Sequence, residues 1–192
     1  MKIGITGSIA CGKSKICEYL QNNGYEVIDA DKISYSLTQK GNLCYNKVIL
    51  EFGEEILQTN GQIDRKKLGQ MVFSDSLKKE KLEKIIHPAV IDFIKNYEEK
   101  EIVFFEVPLL YEAKMESLFS KIIVVYCNKE TQIKRLMERN SFTLEEANLR
   151  INSQMDLQKK VEKADYVIDN SYTLDLSIKK VNEVLKEILK IN

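Results

Sequence analysis

The sequence predicts an α/β fold built on a mostly parallel sheet. Short apolar runs alternate along the chain with segments of helical periodicity. The runs lack the in–out alternation of a half-exposed sheet, so both sheet faces are expected to be covered. The residues suited to chemistry follow the runs, at the strand ends where such sheets hold their ligands.

The first strand is KIGIT at 2–6, closed by a glycine. Residues 13–22 carry Ile16, Cys17, Tyr19 and Leu20 at helical spacing and stop before Gly24. YEVIDA at 25–30 reads as the second strand. EIVFFEV at 101–107, KIIVVYC at 121–127 and ADYVID at 164–169 read as the third, fourth and fifth. Roughly seventy residues of mostly helical pattern separate the second strand from the third. Within them Leu82, Ile85, Ile86, Val90, Phe93, Ile94 and Tyr97 form one apolar stripe, in which Pro88 predicts a break or kink. Thr143 followed by Glu146 is a capping box for a helix over 144–153. Leu174, Ile178, Val181, Leu185, Ile188 and Leu189 make one face of a last helix over 174–190.

The 192 residues are most simply one domain, with no repeat or linker. Acidic and basic side chains balance at 29 each, so no general field favours nucleic acid or an anionic membrane. Any anion site must be local. The four cysteines, Cys11, Cys17, Cys44 and Cys127, form no CxxC pair, which argues against a zinc site or a disulfide framework. No apolar run approaches the roughly 20 residues of a membrane span, and the first strand is too short for a signal sequence. A cytoplasmic protein is expected, with no nucleic-acid or membrane partner. Nothing specifies an oligomer, so a monomer is the default.

Residues 7–14, Gly-Ser-Ile-Ala-Cys-Gly-Lys-Ser, match the phosphate-loop pattern G-x-x-x-x-G-K-[ST]. Glycines let successive N–H groups converge on phosphate oxygens, and the following helix adds its positive end. Lys13 is placed to reach the outer phosphates of a nucleotide, and the Ser14 hydroxyl to ligate Mg²⁺. Asp29 and Asp31 follow the second strand. Asp31 reads either as the group that takes a proton from an attacking hydroxyl or as the N-cap of a helix over 32–38. Glu106 ends the third strand, as an acid near Mg²⁺ or as a solvated strand end. Three of the four arginines, Arg135, Arg139 and Arg150, lie within sixteen residues, against twenty-five lysines in the whole chain. Arg135 and Arg139 share a helix face, either gripping phosphate from a lid or lying solvated beside Glu138 or Glu145. His87 is the only histidine and reads as structural or substrate-contacting. Cys11 is either a thiol drawn toward thiolate by the loop's field or simply a small residue.

With the loop, the Asp-Ala-Asp stretch and VPLLYE (107–112) in order, the chain resembles the dephospho-coenzyme A kinase family nearly end to end. GITGSIACGKS, VIDADKIS, GQIDRKKLGQMVFSD, LEKIIHPAV, EVPLLYE, ETQIKRLMERN, RINSQ and KADYVIDN each resemble a family segment. The resemblance implies a P-loop kinase three-layer sandwich: a five-stranded parallel sheet, a helical acceptor-binding insertion and a helical lid. The core would cover about 1–31, 101–127 and 164–192, the acceptor-binding region about 32–100, and the lid about 128–163. It implies transfer of the ATP γ-phosphate to the 3′-hydroxyl of dephospho-coenzyme A, with Mg²⁺. Gly7, Ala10, Cys11, Gly12, Lys13, Ser14 and Lys15 would hold the nucleotide. Asp31, Asp64, Arg65, His87, Pro108, Leu109, Leu110 and Glu112 would meet the acceptor. Lys13, Asp31, Arg135 and Arg139 would carry catalysis, with Ser14 on the metal. Another P-loop small-molecule kinase, of nucleotide or shikimate type, is the alternative. A GTPase would need an aspartate where Thr131 closes Asn128-Lys129-Glu130-Thr131. The loop departs from the family at Ser8 and Ala10, where glycine is usual, and at Lys15, where a small hydroxyl residue is usual. Strain is expected wherever such a position needs positive φ.

Overall fold

The structure is a computed structural model that describes residues 1–98 and 101–190. Residues 99–100, closing the expected acceptor-binding region, and 191–192, closing the expected core, lie outside the described residues. In chain order the strands and α-helices are β1 (Lys2–Gly7), α1 (Lys13–Asn22), β2 (Glu26–Asp29), α2 (Ala30–Leu37), α3 (Tyr45–Phe52), α4 (Arg65–Ser74), α5 (Ser76–Asn96), β3 (Val103–Glu106), β4 (Lys121–Tyr126), α6 (Lys129–Asn140), α7 (Leu144–Asn152), α8 (Leu157–Glu162), β5 (Tyr166–Asp169) and α9 (Leu174–Leu189). The chain forms two compact units, Met1–Asp29 with Glu99–Asn192, and Ala30–Glu98.

In the first unit the five predicted strands form one parallel sheet in the order β2-β3-β1-β4-β5. β1 is central, so the loop after it leaves from the middle of the carboxyl edge. On one face Ile3, Ile5, Phe104, Ile123, Val125 and Ile168 pack with Ile16, Cys17 and Leu20 of α1 and with Val181, Val184, Leu185 and Ile188 of α9. The other face is also covered. Phe105 meets Phe119 with ring centroids 5.9 Å apart, and Gly4 lies so close to Leu110 that a Cβ there would stand 2.7 Å from its Cδ1. Continuous apolar strands are what burial on both faces requires.

The second unit is helical. Tyr45, Val48, Phe52, Ile56, Ile63 and Leu68 form its core, and Leu82 and Ile85 of α5 pack against it. Of the break or kink expected at Pro88, the break is absent: α5 runs through it from Ser76 to Asn96. A proline inside a helix costs about 3 kcal/mol or more. Two sources of support oppose that cost. Asp75 caps the helix start, accepting from the amides of Leu77 and Lys78, and Ala89, Val90 and Ile94 are buried beyond the proline. The reading of Asp31 as an N-cap is also corrected. α2 begins at Ala30, so Asp31 lies in its first turn, where a carboxylate complements the helix dipole. The Thr143–Glu146 capping box is present at the start of α7. Among the described residues no helix is long and apolar enough to cross a membrane.

Candidate active site

The loop between β1 and α1 is shaped by its glycines and tied by distant side chains. At Gly7 a Cβ would stand 2.4 Å from the Val125 carbonyl oxygen. Gly12 has φ 90°, and a Cβ there would come within 2.1 Å of Asn170 Nδ2. Neither site admits a side chain without displacing its neighbour. The two departures from glycine behave differently. Ala10 has φ 61° and carries the strain expected of a left-handed alanine. Ser8 is not among the described residues with positive φ. Its hydroxyl donates to Gln154 Oε1 at 3.1 Å and accepts from Gln132 Nε2 at 2.8 Å.

Those glutamines are functional candidates that the sequence reading did not single out, and Asn170 is a third. Gln132 Nε2 also donates to the Ile9 carbonyl at 2.7 Å, and the Ile9 amide donates to Gln154 Oε1 at 2.8 Å. Asn170 Nδ2 donates to the Cys11 carbonyl at 2.8 Å and is itself held through Oδ1 by the Ser177 hydroxyl. Gln154 ends RINSQ and Asn170 follows VID, so the only trace of either was an uncharged amide inside a quoted segment.

Lys13 is buried inside the loop. Its Nζ donates to the Ser8 carbonyl at 3.0 Å and reaches the Gly7 carbonyl at 3.5 Å. Burial lowers its pKa, while Cys11 and Glu106 act to raise it. Ser14 is exposed and its hydroxyl donates to Glu106 Oε1 at 3.2 Å. Glu106 ends β3 and lies in register opposite Asp29 of β2. A hydroxyl and two carboxylates at adjacent strand ends are the hard oxygen donors that suit Mg²⁺. The described residues contain no group of three or more His, Cys, Asp or Glu that could hold a metal alone. A partial oxygen set fits an ion that keeps waters and phosphate oxygens as ligands. The Lys15 side chain is exposed and pairs with Glu18 at 2.9 Å. Its backbone amide donates to the Gly12 carbonyl.

Cys11 is fully buried, with Cys127 Sγ donating to its sulfur at 3.1 Å. The hydrogen bond from Cys127 lowers the Cys11 pKa, burial opposes it, and the Lys13 charge assists. The structure therefore keeps the expected field but removes the surface access that a bulky alkylating reagent needs.

The arginines separate. Arg135 is half-buried on α6, and its buried Nη1 has no hydrogen-bond partner. That nitrogen lies 3.8 Å from the point a Cβ on Gly12 would occupy, so the guanidinium is turned to the loop. Arg139, one turn on, is exposed and donates through Nε to Asn140 Oδ1. Arg150 of α7 lies over the Phe142 ring, 5.7 Å from its centroid.

The VPLLYE segment is a turn anchored to the sheet and to α8. The Pro108 carbonyl accepts from the Thr6 hydroxyl and from Lys160 Nζ, each at 3.2 Å. Lys160 is fully buried and pairs with Glu112 at 2.8 Å. Glu112 Oε1 also accepts from the Met155 amide. Leu110 is core and Leu109 is partly exposed. Burial and the neighbouring Glu116 and Asp165 push the Tyr111 phenol up to about 12.

In the helical unit Asp64 is the N-cap of α4, accepting from the Lys67 amide at 3.0 Å. Arg65 lies over the Tyr35 ring at 4.5 Å and donates to the Tyr35 carbonyl and the Thr38 hydroxyl. Tyr35, Thr38, Asp64 and Arg65 line a cavity of about 510 Å³. His87 lies elsewhere on α5, half-buried, and burial lowers its pKa. Asp31 is exposed in the first turn of α2.

A five-stranded parallel sheet with a glycine loop, lysine and serine between its central strand and first helix defines a P-loop fold of the kinase type. Comparison with known proteins narrows the class. A family model described as dephospho-CoA kinase matches residues 1–175. A dephospho-CoA kinase from Listeria monocytogenes is 43% identical over 194 residues, covering 98% of this chain and 97% of that one. A solved dephospho-CoA kinase from Campylobacter jejuni superimposes with a TM-score of 0.71 at 34% identity, covering 99% of this chain and 98% of that one. A solved Thermus thermophilus protein gives 0.81 at 30% identity, covering 97% of each. The chain belongs to the dephospho-CoA kinase family.

The strained alanine yields one prediction. Left-handed backbone costs a non-glycine residue about 1–2 kcal/mol, and glycine loses about 0.5–1 kcal/mol through unfolded-state entropy. Ala10→Gly should raise the stability by about 0.5 kcal/mol. Urea unfolding of the two proteins checks it; a lower midpoint in the variant would contradict the strain.

Proposed function

We propose that this chain transfers the γ-phosphoryl of ATP to the ribose 3′-hydroxyl of dephospho-coenzyme A, giving ADP and coenzyme A. That reaction closes coenzyme A biosynthesis. The observation that carries the reading is an intact Gly12-Lys13-Ser14 at the head of α1 in a chain of this family.

The loop amides and Lys13 bind the outer phosphates, and the low pKa direction of Lys13 reflects a desolvated ammonium whose field is strong at short range. Ser14, with Glu106 and Asp29, would hold Mg²⁺, which supplies charge neutralisation to the phosphates when bound. Arg135 offsets charge on the transferring group, for which its turned-in, unpartnered Nη1 speaks. Arg139 stands one turn out on the same helix and closes over the phosphates with the lid, about 128–163. Asp31 orients the 3′-hydroxyl and takes its proton late in the transfer. Asp31 lies two residues beyond the carboxyl end of β2, exposed in the first turn of α2. The helical region, about 32–100, takes the acceptor, with Asp64 and Arg65 lining the cavity of about 510 Å³ and His87 on α5. Pro108, Leu109, Leu110 and Glu112, in the sheet unit, are the other residues assigned to the acceptor, and Lys160 holds the turn that carries them. Core, acceptor region and lid work as one kinase domain, acting as a monomer in the cytoplasm. Four free cysteines among the described residues suit a reducing compartment.

The test is ADP release from ATP and Mg²⁺ with different acceptors. Dephospho-coenzyme A should raise the rate far above background, and adenosine much less, because the pantetheine arm supplies remote binding energy. Equal stimulation by shikimate or a nucleoside monophosphate would overturn the assignment. Asp31→Asn should lower kcat by about 10²–10⁴-fold with little change in acceptor KM. Steady-state kinetics at saturating ATP measure it, and wild-type turnover would remove Asp31 from the chemistry.

A further inference from the structure

Two thiols meet where the phosphate loop passes the end of β4. Cys11 lies in the loop after β1, and Cys127 is the first residue after β4. β1 and β4 are parallel neighbours with Gly7 opposite Val125, so both sulfurs rise at the carboxyl edge of adjacent strands. Their Sγ atoms are 3.1 Å apart and both residues are buried. The transfer reaction uses neither sulfur. The other cysteines are placed differently: Cys17 is buried on α1, and Cys44 Sγ faces the Ile85 carbonyl at 3.6 Å.

We propose that Cys11 and Cys127 are a peroxide-sensitive pair whose reversible disulfide disables the phosphate loop. A cavity of about 310 Å³ is lined by Cys127 together with Ser8, Gln132 and Gln154, and it brings a small oxidant to Cys127, with the Cys11 sulfur 3.1 Å behind it. Cys11 is the attacking sulfur. The Cys127 hydrogen bond and the Lys13 charge favour its thiolate, whereas Cys127 is pushed far up by its bond to Cys11 and by burial. The Cys11 thiolate attacks one peroxide oxygen, and the O–O bond breaks to give a sulfenic acid and hydroxide. The Cys127 sulfur then attacks the Cys11 sulfur and displaces the sulfenic oxygen as water. Two thiols lose two electrons and two protons, and hydrogen peroxide is reduced to two waters. Bulky disulfides such as oxidised glutathione are excluded by burial of both sulfurs.

The link has a mechanical consequence. A disulfide bond is about 2.05 Å long, roughly 1 Å shorter than the present separation. Cys11 sits between Ala10 and Gly12, both left-handed, and its carbonyl holds Asn170. Closing the gap displaces the loop that orients the phosphates, and a misplacement near 1 Å costs on the order of 10²-fold in rate. The inhibition rests on the kinase reading; the link itself does not.

The test treats the full chain with hydrogen peroxide and follows intact mass, non-reducing peptide maps and turnover. A loss of two hydrogens, a peptide joining Cys11 to Cys127, and a fall in turnover of at least about tenfold that dithiothreitol restores are expected. Oxidised glutathione should produce no link. Cys127→Ser, with Cys127→Ala as a second variant, should give no linked peptide and should keep its turnover under the same peroxide. Oxygen addition at cysteine without the Cys11–Cys127 peptide would overturn the proposal, as would full turnover in the linked protein. The mass and peptide readouts apply even to protein that turns over no dephospho-coenzyme A, so failure of the kinase reading is separable from failure of this one.

Discussion

The constraint on which the rest of the site depends is the tying of the phosphate loop's backbone by side chains from outside it. Gln132 from α6, Gln154 from the segment between α7 and α8, and Asn170 from the end of β5 fix the loop at Ile9, Ser8 and Cys11. A loop of this curvature has no ladder partner for these groups, and leaving them unpaired in a buried setting would cost about 1–3 kcal/mol each. With those groups satisfied, the remaining amides at the head of α1 are available to anions. Lys13 completes the arrangement by bonding the Ser8 carbonyl from within. The shape of the loop is therefore held by the protein's own side chains, and groups fixed in this way cost no reorganisation when they act electrostatically.

Several other features follow from that tie. Gly12 stays glycine because Asn170 occupies the space a Cβ would need. Ser8 stands outside the positive-φ positions of the loop and places a hydroxyl between the two glutamines. Ala10 shows the opposite outcome, a side chain carried at a left-handed position. Gln132 and Arg135 are three residues apart on α6, so one helix supplies both a support for the loop and a cation turned toward it. Lys160 does for the VPLLYE turn what the glutamines do for the loop, pinning the Pro108 carbonyl and Glu112 from inside.

What the sequence displayed was local. The five apolar runs became the five strands because burial on two faces leaves a continuous signature. The loop pattern, the start of α1 and the Thr143–Glu146 box were legible because each is encoded within a few adjacent residues. The misreadings came where tertiary packing overrode a local rule. Pro88 did not end its helix because buried residues beyond it held the turn. Asp31 fell inside a helix that began earlier than its own capping preference indicated. The supports were not legible for a different reason. Gln132, Asn170 and Cys127 are ordinary residue types whose partners lie more than a hundred residues away, and only the strand order brings them together.

Replacing Gln132 by methionine is the most direct measurement of this dependence. Methionine keeps the volume but removes both donors to Ser8 and Ile9. If loop preorganisation governs phosphate binding, kcat/KM for ATP should fall by about 10²-fold while circular dichroism shows the fold retained. A folded variant with kcat/KM within about twofold of the parent would contradict it, because that difference is under 0.5 kcal/mol and leaves the loop's shape independent of its ties.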